Sequence, residues 1–383
     1  MGEKGAARPV GYFVHHQGRG HAERAAAIAN ALIERRPVTL FCAKPSIFPA
    51  LDDRIAIIEI PSLFEATGHE APAMAVSPMP TTTHCAPLGW PSITTVMARI
   101  VRWFEEARPA LFITDVSAEI AQLARLCSIP HICVLQHGNR ADAGHMAAYE
   151  GAVGLLAPYH ARLEQADRPQ WMRDRTHYAS GVGIVCSVMA SRMDARQQLG
   201  LDADAQIVLV VAGGGGEGTP SAPLSLGARG EPDTQWITIG QVQTAWHETP
   251  PGNLDHRGWI DNPRVWIAAA DRIVSSAGNT TVHMVLAAAK PWVVIPEWRY
   301  FDEQLCKADV LAREGLAAVA PHWPSHADAW HDIWKHAAAL DHAAQAQIVT
   351  PDAADRAAQW IDDHAVRLWN GHAANSPALD IVA

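Results

Sequence analysis

A turn of small residues near position 277 stands between a short apolar run and a segment of helical character. The small and polar members of the turn and of the helix start are Ser276, Gly278, Asn279, Thr280 and Thr281. The first N–H groups of a helix have no partner within the helix, and the helix dipole adds partial positive charge there. The turn therefore predicts an anion site, such as one for a phosphate. The alternative is that these residues only cap the helix.

A second group of polar side chains follows the next predicted strand. Lys290 and Pro291 end the helix, residues 292–295 form a β-rich run, and Asp302 and Gln304 come shortly after it. Ligands of open parallel sheets bind outside the carboxyl ends of the strands. The whole block, residues 271–304, is thus expected to hold a diphosphate, with polar side chains within reach of a hydroxylated group.

Three histidines crowd a turn near the N-terminus: His15, His16 and His21. A zinc site needs correctly spaced partners, usually with a carboxylate or thiolate, and none is close in the sequence. We therefore predict no metal. Gly18 and Gly20 lie in the same turn but do not form G-x-G-x-x-G, so NAD binding is only weakly indicated.

Short apolar strands alternate with helices through the first half of the chain. The sequence predicts strands at 10–15, 38–42, 55–60, 111–114, 132–135 and 153–156, and helices at 22–36 and 118–127. This alternation is typical of a doubly wound parallel sheet. Residues 62–91 show weak periodicity and are expected to form a long loop or a mobile insert. Long loops in compact domains are usually functional or disordered.

The second half begins the same pattern again with an apolar strand at 207–211. That strand runs into four consecutive glycines: Gly213, Gly214, Gly215 and Gly216. Glycine lets a backbone approach a ligand closely, although a flexible surface loop is the alternative. Residues 236–239 and the stretch around residue 260 lead from there into the block at 271–304.

Length and composition indicate two domains. The 383 residues exceed one ordinary domain, and 49% hydrophobic against 18% charged residues can form two cores. The net charge of −10 argues against a nucleic-acid partner but leaves room for peripheral contact with a membrane. Six scattered cysteines without C-x-x-C spacing, and no signal or membrane-spanning segment, predict a reduced cytoplasmic protein.

Residues 271–304 resemble the donor-binding segment of nucleotide-sugar glycosyltransferases with two Rossmann-like domains, the GT-B fold. The matching positions are Gly278 to Thr281, Pro291, Pro296, Asp302 and Gln304. The strand and glycines near 213 also resemble the entry to the donor domain, and Trp259 and Ile260 are implied to lie near the nucleobase. In the peptidoglycan N-acetylglucosaminyltransferases and plant-type transferases, a Glu on the helix holds the ribose, and this chain has Met284 there.

Residues 18–24, GRGHAER, resemble the GxGHxxR turn after the first strand in a bacterial and archaeal branch of GT-B proteins. In inverting members of the wider fold, a His in this turn is the base and an Asp after a later strand orients it. The matching residues are His21 and Asp115. A histidine with a pKa near ~6.5 can take a hydroxyl proton when a carboxylate fixes its tautomer. Plain helix-start and capping roles are the alternatives for both. Gly18, Gly20 and Arg24 are the expected phosphate and turn residues of this stretch, and facing solvent is the alternative for Arg24.

The resemblance implies two facing domains, residues 1–180 for the acceptor and 181–350 for the donor. A final segment, 351–383, contains a helix from about 352 to 369 that crosses back to the first domain. Trp90 and His137 are expected on the acceptor side.

The implied activity is an inverting, metal-independent and cofactor-independent transfer of a sugar from a nucleoside diphosphate, with UDP or dTDP favoured. The acceptor would be a hydroxyl or amine of a small molecule, glycan or lipid-linked compound. Two alternatives stay open. Hydrolases of the pseudaminic acid pathway share the GxGHxxR turn, so a nucleotide-sugar hydrolase or epimerase fits the same scaffold. Met284 leaves room for a catalytically silent nucleotide-binding protein.

Overall fold

The structure is a computed structural model that describes residues 7–74, 76–184, 189–213, 218–243 and 249–370. Its first half forms one parallel sheet. The strands are β1 (Val10–Val14), β2 (Val38–Cys42), β3 (Ala56–Glu59), β4 (Leu111–Asp115), β5 (His131–Val134), β6 (Gly154–Ala157) and β7 (Thr176–Tyr178). They lie in the order β3-β2-β1-β4-β5-β6-β7, which confirms the doubly wound sheet that the sequence predicts.

Helices cover both faces of this sheet. They are α1 (Arg19–Leu32), α2 (Pro91–Ala107), α3 (Ala118–Leu126), α4 (Ala143–Gly151) and α5 (Gln170–Asp174), with 3-10 turns at Pro45–Ile47, Pro72–Met74 and Ala161–Leu163. Helix α1 begins three residues earlier than predicted, directly after Gly18, whose φ of 97° suits glycine. Ser117 caps α3 by accepting a hydrogen bond from the N–H of Ile120.

The second half forms a six-stranded parallel sheet and a separate two-stranded pair. Its strands are β8 (Gln206–Val211), β9 (Thr219–Pro220), β10 (Thr234–Ile239), β11 (Val242–Gln243), β12 (Leu254–His256), β13 (Arg272–Ser275), β14 (Trp292–Val294) and β15 (Ala318–Val319). The order in the larger sheet is β12-β10-β8-β13-β14-β15, while β9 pairs with β11. The second half is therefore a second doubly wound unit.

The helices of the second half complete the chain. They are α6 (Arg192–Leu199), α7 (Ser221–Gly230), α8 (Pro263–Ala269), α9 (Asn279–Ala288), α10 (Glu303–Arg313), α11 (Ala327–Ala339), α12 (His342–Ala346) and α13 (Ala353–Asn370), with a 3-10 turn at Tyr300–Asp302. No helix in the described part of the chain is long and apolar enough to span a membrane. The five cysteines within the described ranges are free thiols.

Strand order places the predicted sites at two topological switch points. In the first sheet the order reverses between β1 and β4, and their carboxyl ends lead into α1 and to Asp115. In the second sheet it reverses between β8 and β13, which lead to Gly213 and to the turn before α9. Ligands of open α/β sheets bind in the crevice at such points.

Helix α13 returns to the first domain, as the resemblance implied. Its apolar residues Ala357, Ile361 and Ala365 are buried in one cluster with side chains of α1 and β1. Arg36 forms an ion pair with Asp362. This helix therefore belongs to the core of the first domain although it is the last element of the chain.

Candidate functional site

His21 and Asp115 meet at the carboxyl end of the first sheet. His21 is the third residue of α1, and Asp115 is the fully buried last residue of β4. The Nδ1 atom of His21 lies 3.0 Å from Oδ1 of Asp115. The His21 side chain is 14% exposed, so its ring has limited access to the cleft. A histidine held this way through Nδ1 has the arrangement of a general base that uses Nε2.

Arg24 completes this buried group, which the sequence did not predict. Its Nε lies 2.7 Å from Oδ2 of Asp115, and its Nη2 lies 2.6 Å from Oδ1. Burial would raise the pKa of Asp115, but Arg24 and His21 together hold it well below its usual value. Asp115 is therefore ionised. Arg24 is 3% exposed, so its guanidinium is committed to Asp115 and faces neither solvent nor a phosphate.

Asp115 and Arg24 compete for Nδ1 of His21. The Nη2 atom of Arg24 lies 2.5 Å from that nitrogen. If Nδ1 carries the proton, it donates to Asp115 and leaves Nε2 free to accept a proton; if Arg24 donates to Nδ1, Nε2 carries the proton instead. The first tautomer is the one that can act as a base.

Two further histidines lie beside His21 without forming a metal site. His15 stacks on Phe64 with ring centroids 4.5 Å apart, and burial, with a smaller contribution from His21, lowers its pKa to about 3. His16 lies 2.9 Å from Glu65. Within the described ranges, no group of three or more potential ligands could hold a metal ion.

Helix α9 begins without a side-chain cap. Gly278 occupies the N-cap position and supplies no side-chain hydrogen bond to the N–H groups of the first turn. Ser276 is buried in the preceding turn, and Thr281 is buried in the first turn of the helix. The helix start therefore keeps the features of an anion site: small residues, free N–H groups and the dipole.

Gln304 holds this turn in place. It is 3% exposed, and its Oε1 accepts hydrogen bonds from the N–H of Ala277 at 3.0 Å and of Glu297 at 2.9 Å. The carbonyl oxygen of Gln304 thus joins the β13–α9 turn to the loop after β14. The position of Gln304, next to the helix start and beyond β14, is the one expected from the sequence. Its side-chain oxygen, however, accepts hydrogen bonds from backbone N–H groups.

The starts of α1 and α9 face each other across the cleft between the two domains. A Cβ atom built on Gly20 would lie 2.6 Å from Oγ1 of Thr280. The side chain of Thr280 also interacts with that of Glu23 on α1. Gly20, expected at a phosphate, is therefore the point of closest helix approach, and Gly18 lies just before it.

A buried cation behind α9 was missed by the sequence interpretation. Lys307 of α10 is 2% exposed, and its Nζ lies 3.3 Å from Oδ1 of Asn279 and 3.9 Å from Glu303. Burial lowers the pKa of Lys307 to about 8. The position three residues after Gln304 was a readable signal, since i and i+3 residues share a helix face. Lys307 adds positive charge near the α9 start.

The loop before α10 reaches into the first domain. Phe301 and Asp302 both have left-handed backbones, with φ of 62° and 54°. The carbonyl oxygen of Phe301 accepts a hydrogen bond from the N–H of Asn139 at 2.7 Å, and the guanidinium of Arg140 lies 4.5 Å from its ring. Asp302 itself is exposed and caps nothing. The first domain thus fixes the loop that presents Asp302.

A depression of about 510 Å³ lies at the carboxyl edge of the second sheet. Its lining residues are Gly240, Gln241, Val242, His256, Gly258 and Trp259. Trp259 is 60% exposed, so its ring is free to stack, whereas Ile260 packs against the core. Gly213 lies in the adjacent loop after β8, while Gly214 and Gly215 fall outside the described residues.

The three remaining expectations concern Trp90, His137 and Met284. Trp90 is partly buried at the N-cap of α2. His137 is 1% exposed, its Nε2 lies 2.6 Å from the carbonyl oxygen of Leu163, and burial holds its pKa well below the usual value. It is not accessible to an acceptor in this structure. Met284 is 5% exposed and belongs to the core, so it does not take over a ribose contact.

The architecture is shared with solved glycosyltransferases. A crystal structure of the glycotransferase of kitacinnamycin matches with a TM-score of 0.69 at 16% identity, over 94% of this chain and 99% of that one. The calicheamicin glycosyltransferase CalG4 matches with a TM-score of 0.63 at 15% identity, over 95% of this chain and 99% of that one. MurG from Acinetobacter baumannii matches with a TM-score of 0.57 at 15% identity, over 93% of this chain and 99% of that one.

The chain has the GT-B fold. Both the two parallel sheets and the near-complete coverage in each comparison support this assignment. A scan against models of protein families gave no match, and neither did a search of curated protein sequences. In GT-B terms, His21 lies in the N-terminal domain and the start of α9 in the C-terminal domain, on opposite sides of the cleft.

Proposed function

We propose that the chain is an inverting glycosyltransferase that moves a sugar from a nucleoside diphosphate donor to an acceptor hydroxyl or amine without a metal or cofactor. The observation that carries this proposal is the His21–Asp115 pair, 3.0 Å apart, beside the uncapped start of α9. UDP or dTDP sugars are the proposed donors, as the resemblance implies, and the exposed ring of Trp259 in the depression is the proposed stacking surface for the base. The proposed location is the cytoplasm, and the acceptor is a small molecule, glycan or lipid-linked compound.

The proposed reaction uses His21 as the base. Its Nε2 accepts the acceptor's proton, the acceptor oxygen or nitrogen forms a bond to the anomeric carbon, and the bond to the diphosphate oxygen breaks on the opposite face. The bonding pair leaves with the diphosphate, and attack from the opposite face inverts the anomeric configuration. Asp115, which is ionised, stabilises the imidazolium that forms. Preorganised N–H groups of α9 stabilise the leaving charge, a role that metal ions play elsewhere.

The test begins with binding. Calorimetric titration with UDP, dTDP, GDP, ADP and CDP, each with and without a chelator, identifies the base and the metal requirement. Micromolar binding of one diphosphate that is indifferent to chelator supports the donor site. If none of the five binds at millimolar concentration, the proposal is wrong.

Turnover is tested next with sugars of the base identified by calorimetry. Replacing His21→Asn should abolish product formation while diphosphate binding persists, because only the proton acceptor is lost. The matched control His331→Asn, on the exposed side of α11, should leave both unchanged. Release of free sugar without any acceptor would favour the hydrolase instead. Equal turnover by His21→Asn and the wild type would contradict the assigned base.

A further inference from the structure

Glu23 is an acidic residue of the first domain that lies against the start of α9 in the second. Its side chain interacts with that of Thr280, and the missing side chain of Gly20 allows the two helices to approach. The Glu23 side chain is 23% exposed. Its Oε2 is buried and has no hydrogen-bond partner among the residues that the structure describes. An unpaired carboxylate oxygen therefore lies where the proposed function places the donor diphosphate.

The groups that face this carboxyl carry little compensating charge. On its own helix, Arg19 lies 3.5 Å from Oε1 but is half exposed. From α9 the facing group is the neutral hydroxyl of Thr280, and on the 181–184 loop Gly183 lies against the backbone of Glu23 and Arg24. Burial raises the pKa of Glu23, while Arg19 and Thr280 lower it in part. An additional negative charge nearby would favour the protonated acid.

We propose that Glu23 binds the donor diphosphate as a carboxylic acid. A proton from solvent adds to the carboxylate when the diphosphate arrives at the start of α9, and the new O–H donates a hydrogen bond to a phosphate oxygen. Glu23 is then a donor-binding residue supplied by the acceptor domain, so that donor binding draws the two domains together. This inference rests on the proposed function, because it needs a diphosphate at α9.

The inference links nucleotide affinity to pH with a defined sign. A bound diphosphate makes the carboxyl's pKa higher in the complex than in the free protein. Between these two pKa values, binding takes up a proton, so affinity is greatest at low pH and falls as pH rises through the interval. Because of this one group, the Kd of the diphosphate rises by up to about tenfold per pH unit in that interval. The nucleotide's own phosphate titrates near pH ~6 with every variant. Its contribution to the pH dependence of binding is therefore the same for all variants and cancels when they are compared.

The experiment is calorimetric titration of the full chain with the tightest-binding diphosphate, in buffers of different ionisation enthalpy. Glu23→Gln keeps the size of the side chain and an N–H donor but cannot titrate. Glu34→Gln is the matched control, since that side chain is 66% exposed. Wild type and Glu34→Gln should each take up more protons per bound nucleotide than Glu23→Gln, with a maximum difference of one proton between the free and bound pKa values. The pH slope of the Kd should decrease only in Glu23→Gln.

Equal proton uptake by wild type and Glu23→Gln across the whole pH range overturns the inference, because it means that Glu23 takes up no proton when the diphosphate binds. If Glu23→Gln does not fold, Glu23→Ala gives the same comparison of proton uptake. Failure of the wild type to bind any of the five diphosphates overturns the proposed function and this inference together. Binding without a Glu23-dependent proton overturns the inference alone.

Discussion

Gly20→Ala is expected to change stability in opposite directions, depending on the residue at position 280. Alanine in place of glycine within a helix stabilises by about 0.5–1 kcal/mol. At position 20, however, the new Cβ would lie 2.6 Å from Oγ1 of Thr280, roughly 1 Å closer than an unstrained contact. Overpacking of this kind costs about 1–3 kcal/mol. The net expectation is a loss of about 1–2 kcal/mol in the free energy of unfolding.

Thr280→Ala removes the hydroxyl, so Gly20→Ala in that background should instead gain about 0.5–1 kcal/mol. The four proteins of this double-mutant cycle are compared by urea unfolding, with the fluorescence of the 14 tryptophans as the signal. The coupling between the sites is then about 1–3 kcal/mol. A Gly20→Ala effect of the same sign and size in both backgrounds would show that α1 and α9 do not meet at these residues.

Three further changes test other parts of the cleft. Asp115→Asn should lower the free energy of unfolding by about 3–5 kcal/mol, because Arg24 would remain buried without its anion. Urea unfolding measures this change. A loss below about 1 kcal/mol would contradict the ion pair between Asp115 and Arg24. Phe301→Ala should cost about 1–2 kcal/mol from its half-buried contacts, whereas Tyr300→Ala, 75% exposed, should stay within about 0.5. Trp259→Ala should weaken nucleotide binding about tenfold or more by calorimetry with stability unchanged, and equal affinity would move the base elsewhere.

Strand positions were readable because parallel strands buried on both faces are continuous apolar runs. All five residues of β4 are buried, and a run of this length is typical of a strand and short for a helix. The sequence-based prediction lacks helix α2, although the sequence carries the pattern of a half-buried helix. Pro91 stands at its first position, and Ser92, Val96, Ile100 and Phe104 recur every four residues on the buried face.

Site residues were predictable where local sequence decides their place, and not where a distant partner does. The α9 start and Asp115 follow strand ends, which a local pattern reveals. Arg24 pairs with a residue 91 positions away, and nothing near it in the sequence indicates burial. Gln304 illustrates the middle case: its location was predicted, but its hydrogen bonds to two backbone N–H groups depend on the folded loop.

Because α13 packs on the first domain, that domain cannot complete its core until the end of the chain has been synthesised. The strands of the first sheet end at residue 178, but part of that domain's core comes from a helix that begins at residue 353. About 175 residues separate them, which at ribosomal speeds of roughly 5–20 residues per second is a wait of roughly 9–35 s. During that interval the apolar side chains of α1 that α13 covers remain exposed, and the second domain has time to fold before the first is finished.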